Sequence, residues 1–175
     1  NAEYYNGTGW SSGTALPAAV FSAAGAGTTT ASLVFGGANG PYKAETYEGD
    51  SSSWSDGGDL NTARYGLSGV GTQTAGLAFG GGYPSNFGTT LTEEYDGSSW
   101  TTSGALNTSR QTSEAAGGTQ TAAITFGGEN SGTDKLTHSE EYNGTSWSEG
   151  NDLNTATKRN SGGGTSVPTT LSLGG

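Results

Sequence analysis

The chain has 175 residues, enough for one domain with its own core, and a formal charge of -10 that argues against a nucleic-acid backbone or an anionic membrane as main partner. It has no Cys, which removes disulfides, thiolate metal sites and Cys nucleophiles together. Gly fills 33 positions and apolar residues only 30%, a bias common in disordered tracts, but four Trp, eight Tyr and five Phe at regular spacing argue for a packed fold.

The first recognisable stretch is Glu3-Tyr4-Tyr5-Asn6-Gly7-Thr8-Gly9-Trp10, followed by Leu16. It reads as two short strands around an Asn-Gly turn, a dipeptide that supplies the positive φ tight hairpins need. Small residues follow at Ala23-Ala24-Gly25, then a turn at Gly27-Thr28 and the apolar alternation Ala31-Ser32-Leu33-Val34-Phe35, closed by Gly36-Gly37. Short β-branched and aromatic runs bounded by Gly are strands, not helices. A variable loop leads to Glu45-Thr46-Tyr47-Glu48-Gly49, where Glu48-Gly49 is the expected turn before Trp54 and Leu60.

The same order repeats twice more and then half-repeats. Ser68-Gly69, the turn at Gly71-Thr72, the strand ending Phe79-Gly80-Gly81 and the stretch Glu93-Glu94-Tyr95-Asp96-Gly97-Ser98-Ser99-Trp100 with Leu106 form the next copy. Ala115-Ala116-Gly117, Gly118-Thr119, Phe126-Gly127-Gly128 and Glu140-Glu141-Tyr142-Asn143-Gly144-Thr145-Ser146-Trp147 with Leu153 form another. Ser161-Gly162-Gly163, Gly164-Thr165 and Thr170-Leu171-Ser172-Leu173-Gly174-Gly175 supply only its first half.

The Trp residues recur every 44 to 47 positions, a period that marks a repeat array. Four short strands per period imply an antiparallel meander, which must stack on its neighbours because alone it would leave both faces wet. Small residues on each first strand fit strands crowding toward one axis, which favours a propeller. The expected architecture is all-β: a single four-bladed domain over 1–175, with blades at 18–60, 61–106 and 107–153. The fourth is a composite of 154–175 and 1–17, so that the terminal half-repeats close the ring and no sheet edge is left open.

Phe79-Gly80-Gly81, a variable loop, Glu93-x-Tyr95-Asp96 with Trp100, and then Leu106 and Arg110 together resemble the kelch repeat. The resemblance covers essentially the whole chain, and the Gly/Thr-rich texture resembles kelch-like repeats of phage and environmental sequences. No Trp-Asp dipeptide closes a blade, against a WD-type propeller. Kelch-like enzymes of the galactose oxidase type use copper with a modified Cys-bearing Tyr, a site this Cys-free chain cannot make. The resemblance implies a kelch-like β-propeller; a protein or glycan is the partner expected at the loops that vary between repeats.

The four Trp are expected in the cores between blades, where burying about 150–250 Å² each gives an upper bound of roughly 4–6 kcal/mol. Glu3, Glu45, Glu93 and Glu140 are expected to accept backbone hydrogen bonds, and Glu93 and Glu94 to point to opposite faces of their strand. His138 is expected at the surface. No catalytic residue, metal site or cofactor is expected, nor a calcium loop.

The cations carry the functional signal. Lys43 and Lys135 fall in the loops after the Gly pairs, and Arg64, Arg110, Lys158 and Arg159 at the junctions between repeats, all on one face. Tyr42, Tyr83, Asn86 and Phe87 share those loops, with Tyr65 beside Arg64. Loops that differ on a repeated scaffold are where propellers bind. A competing reading makes the cations structural, either balancing Asp59, Glu149 and Asp152 or, for the Arg after Leu-Asn-Thr, holding the repeat. The expected function is a non-enzymatic binding or structural propeller on an extracellular or virion surface, with a lectin as alternative. The lack of an initiator Met points to a processed product or a piece of a longer chain.

Overall fold

A computed structural model describes residues 2–83, 87–112, 114–130, 134–159, 161–164 and 170–173. It is all-β, with no helix among these residues. The sixteen strands are β1 (Ala2–Tyr5), β2 (Trp10–Gly13), β3 (Ala24–Thr28), β4 (Ala31–Phe35), β5 (Thr46–Gly49), β6 (Trp54–Asp56), β7 (Ser68–Thr72) and β8 (Ala75–Phe79), then β9 (Thr92–Tyr95), β10 (Trp100–Thr102), β11 (Glu114–Thr119), β12 (Ala122–Phe126), β13 (Ser139–Tyr142), β14 (Trp147–Glu149), β15 (Ser161–Gly164) and β16 (Thr170–Leu173).

Strands β3 to β6, β7 to β10 and β11 to β14 form three antiparallel meanders of four. The remaining strands form two hairpins, β1–β2 and β15–β16. The expected meanders and half-repeats are therefore present. Among the described residues, β1 pairs only with β2 and β16 only with β15, so the two halves are not joined into one sheet.

The first strands β3, β7, β11 and β15 pack side by side, as their small residues allow. Gly69 shows why they are small: a Cβ there would lie 2.4 Å from Cζ of Phe35 in the preceding sheet. A second device links the repeats at these strands. Ser22, Gly66, Thr112 and Arg159 each adopt positive φ just before a first strand. The N–H of Gly66 donates to the carbonyl of Ser22, that of Thr112 to Gly66 and that of Arg159 to Thr112.

The core lies between sheets, as the stacking argument requires. Leu33, Phe35 and Leu60 of the first full sheet meet Ala78, Tyr95 and Trp100 of the second. Leu77, Phe79 and Leu106 of the second meet Ala123, Tyr142 and Trp147 of the third. Phe35 meets Trp100 edge-on at 4.8 Å, and Phe79 meets Trp147 at 4.8 Å. Each buried indole N–H donates back to the preceding sheet, Trp100 to Thr46 and Trp147 to Thr92, both at 2.9 Å. Trp54 is half-buried and Trp10 is 70% exposed, so the core role expected of all four Trp holds fully for two.

One repeat is threaded differently from the sequence expectation. The turn between its third and fourth strands is at Asp50-Ser51, not Glu48-Gly49. Asp50 Oδ1 accepts the N–H groups of Ser52 and Ser53 at 2.9 and 2.8 Å, as Asp96 Oδ1 accepts those of Ser98 and Ser99. Ser51 has φ 78°, where Gly97 has 92°. The Asp oxygen that captures two amides decides the turn, and Ser51 bears the strain that Gly spares the other copies. Gly49 therefore pairs with Trp54 where Tyr95 pairs with Trp100, and Tyr47 holds the place of Glu93.

Candidate binding face

The loop after each Gly pair and the junction after each fourth strand are tied together by backbone. Gly37 N donates to Arg64 O, Lys43 N to Gly37 O and Arg64 N to Lys43 O. Gly81 and Gly128 repeat the first bond with Arg110 and Thr157. The Gly pairs make this approach possible: a Cβ on Gly80 would sit 2.8 Å from the Arg110 carbonyl oxygen.

Two of the expected binding residues are scaffold, in line with the competing reading of the Arg after Leu-Asn-Thr. Arg64 and Arg110 are completely buried, each reaching the carboxylate of the next sheet: Arg64 Nη2 lies 3.0 Å from Glu93 Oε1 and Arg110 Nη2 2.7 Å from Glu140 Oε1. Arg110 also donates from Nη1 to the carbonyls of Gly127 and His138, at 2.9 and 3.0 Å. Burial pulls both guanidinium pKa values down, Arg64 to about 10, while the facing carboxylate opposes the shift. The carboxylates take the expected backbone bonds, Glu93 from Asn61 N–H at 2.7 Å and Glu140 from Asn107 N–H at 2.7 Å. Glu45 takes its backbone bond locally, from Ala44 N–H at 3.1 Å, and meets no arginine; it accepts from Lys43 at 2.8 Å, which holds its carboxyl below the usual range.

Glu94 faces the other way, as alternation requires, and accepts from Tyr142 O–H at 2.5 Å, just as Glu48 accepts from Tyr95 at 2.6 Å. Burial, together with those carboxylates, pushes both phenols up to about 12. His138 is half-buried rather than at the surface, and its Nδ1 is enclosed without a hydrogen-bond partner.

The other expected residues differ in exposure. Tyr42 stacks on Tyr65, with ring centroids 4.9 Å apart and planes 23° apart, bringing together a loop and a junction. Lys135 and Arg159 are exposed, and Phe87 is 55% exposed. Lys43 and Lys158 are half-buried in ion pairs, with Glu45 and with Glu129 at 2.7 Å. Tyr83 is half-buried, and Asn86 lies outside the described residues.

Phe21, 59% exposed, is a member of this face that the sequence reading missed. It bridges Ala38 as Tyr65 bridges Gly82 and Gln111 bridges Glu129. Aligning the residue before each left-handed position would have found it: Phe21, Tyr65, Gln111 and Lys158 form one varied set. Its first half is aromatic. Its second half is polar, since Gln111 Nε2 donates to Glu129 Oε1 at 3.3 Å and Lys158 holds the other oxygen.

Among the described residues no three His, Cys, Asp or Glu side chains are arranged to hold a metal. Glu45, Tyr47, Asp56 and Asp59 line an acidic hollow of about 480 Å³ beside the first full sheet. No protein-family model matches the chain, and no curated protein does.

Proposed function

We propose that this chain is a non-enzymatic binding module of the propeller class, with kelch-like blades, that recognises a partner protein through its loop face. It contributes four blades, the last made of the β15–β16 and β1–β2 halves. The observation that carries this reading is a division of labour. At the two junctions between full sheets the recurring Glu, Tyr, Trp and Arg side chains are consumed between sheets, whereas exposed residues that differ from repeat to repeat lie on the loops. An acidic, Gly/Thr-rich surface suits an extracellular or virion-associated setting of the phage-like kind, which the sequence texture suggests.

A second reading, a lectin, draws on one feature: the Tyr42–Tyr65 stack flanked by exposed Phe21 offers flat aromatic area for a sugar ring. A glycan array and a library of displayed peptides and proteins, probed with the wild type and with Tyr65→Ala/Phe87→Ala, separate the two. Protein ligands lost in the variant support the leading reading, glycan ligands lost in it support the second, and ligands retained in it defeat the loop face as the site.

A further inference from the structure

One residue beyond each of Phe21, Tyr65, Gln111 and Lys158 stand Ser22, Gly66, Thr112 and Arg159, the left-handed positions two residues before each first strand. Glycine alone takes such a φ without a steric penalty, and Gly66, at φ 60°, shows that glycine satisfies the place. Ser22, Thr112 and Arg159 are held there at φ 53°, 49° and 55° instead. A β-branched Thr and a long Arg are disfavoured in that conformation, yet the main-chain bonds of the series are ones that glycine makes equally well. What the strained copies add is side chains: two hydroxyls and one guanidinium. Strain of this kind gathers where the side chain is needed for something other than the fold.

The guanidinium differs from the other cations. Of the six, four are held by glutamates: Arg64 by Glu93, Arg110 by Glu140, Lys43 by Glu45 and Lys158 by Glu129. Arg159 is exposed and makes no ion pair among the described residues. Lys135 is also exposed and unpaired among them, but it lies outside the bonded series. The N–H of Arg159 donates to the carbonyl of Thr112, and Thr112 Oγ1 is enclosed with no hydrogen-bond partner, so the neighbouring hydroxyl has a bond still to make.

Residues bonded in this way lie about 5 Å apart, which puts Gly66 and Arg159 about 10 Å apart or less, the span of about three residues of an extended chain. Tyr65, directly before Gly66, stacks on Tyr42.

We infer that Arg159 is the anion-binding centre of the loop face and takes a carboxylate of the partner protein, the side chain of an Asp or Glu, while an apolar side chain about three residues away in the partner rests on the Tyr42–Tyr65 pair. This rests on the loop-face reading. A carboxylate fits better than a doubly charged phosphate or sulfate group, because one guanidinium fork matches it edge to edge and a chain of charge -10 repels a second negative charge. The same net charge turns acidic segments away from most of the surface, so the free arginine decides where they land.

The test is fluorescence anisotropy of a labelled random copolymer of Glu and Tyr, and separately of labelled polygalacturonate, with the wild type, Arg159→Gly, Arg159→Lys and Tyr65→Ala/Phe87→Ala, together with the urea midpoint of Arg159→Gly. Glycine relieves the left-handed strain, so Arg159→Gly should unfold at the wild-type urea concentration or a higher one while binding the copolymer at least tenfold more weakly. Arg159→Lys, which keeps the charge without the fork, should fall between the two. A lower midpoint for Arg159→Gly overturns the inference, because the guanidinium then serves the fold, and so does a wild type that binds neither polymer. Copolymer binding unchanged in Arg159→Gly but lost in the aromatic variant overturns the inference and leaves the loop-face reading standing. Binding unchanged in both variants overturns both. A wild type that binds polygalacturonate and not the copolymer overturns the protein carboxylate in favour of the sugar reading.

Discussion

Removing one partner of the Arg110–Glu140 pair should be far more costly than replacing both. Arg110→Val deletes hydrogen bonds to the carbonyls of Gly127 and His138 and to Glu140, and leaves a fully buried carboxylate facing the amides of Asn107 and Thr108. A lone buried charge of this kind costs about 3–5 kcal/mol. The first full sheet shows the alternative, because Val20 and Tyr47, neither of them charged, hold the corresponding positions and line one small hollow, bordered by the separate Lys43–Glu45 pair. Arg110→Val/Glu140→Tyr should therefore lose less than Arg110→Val alone, with a coupling of about 2 kcal/mol or more between the two changes. Urea unfolding followed by Trp emission reads this junction through Trp147, which meets Phe79 in the same core. A cost below about 1 kcal/mol for Arg110→Val, or a double variant whose loss equals the sum of the singles, would refute the argument.

Three further outcomes follow from the turns and the tyrosines. Ser51→Gly should stabilise the chain by about 1 kcal/mol by relieving a left-handed residue, while Gly97→Ala should destabilise it by a similar amount; the urea midpoint reads both. The Ser amides and hydroxyls that bind Asp50 and Asp96 hold both carboxyls at about 2, against an ordinary 3.8. Their lowered pKa stabilises the fold above pH 3.8 and the benefit fades as pH falls toward 2, so Asp50→Asn/Asp96→Asn should flatten acid unfolding across that window. Asn143 already makes the same turn without charge, so the variant should fold, and an unchanged acid profile would count against the turns as its source. Tyr95 and Tyr142, raised to about 12, stabilise the fold fully below pH 10 and lose that contribution as pH rises through 12. Absorbance titration at high pH should show two late phenols, and Tyr95→Phe should remove one.

Much of this fold was legible because its signals are local. Gly pairs end strands, Asn-Gly and Asp-Gly turn them, and the Trp period counts the meanders. The misread repeat shows the limit: Glu48-Gly49 has the composition of a turn, but Asp50 has the oxygen that two following amides can reach, and a Ser accepts the unfavourable φ. The arginines stayed open between binding and holding the repeat for a non-local reason. Arg64 and Arg110 sit in loop sequence, and what buries them is a carboxylate about thirty residues later on another sheet. The Tyr42–Tyr65 stack was half visible, since both residues were assigned to one face, although nothing in their spacing shows that the rings meet.

The bonded series Ser22, Gly66, Thr112 and Arg159 has a consequence for how such a chain can lengthen. Each unit presents an acceptor to the unit after it and a donor to the unit before it, through main-chain atoms that no side-chain change removes. A tandem duplication of one period inserts a unit that already fits both neighbours, whatever its loops carry. The loops can then diverge copy by copy while the seam between units stays the same.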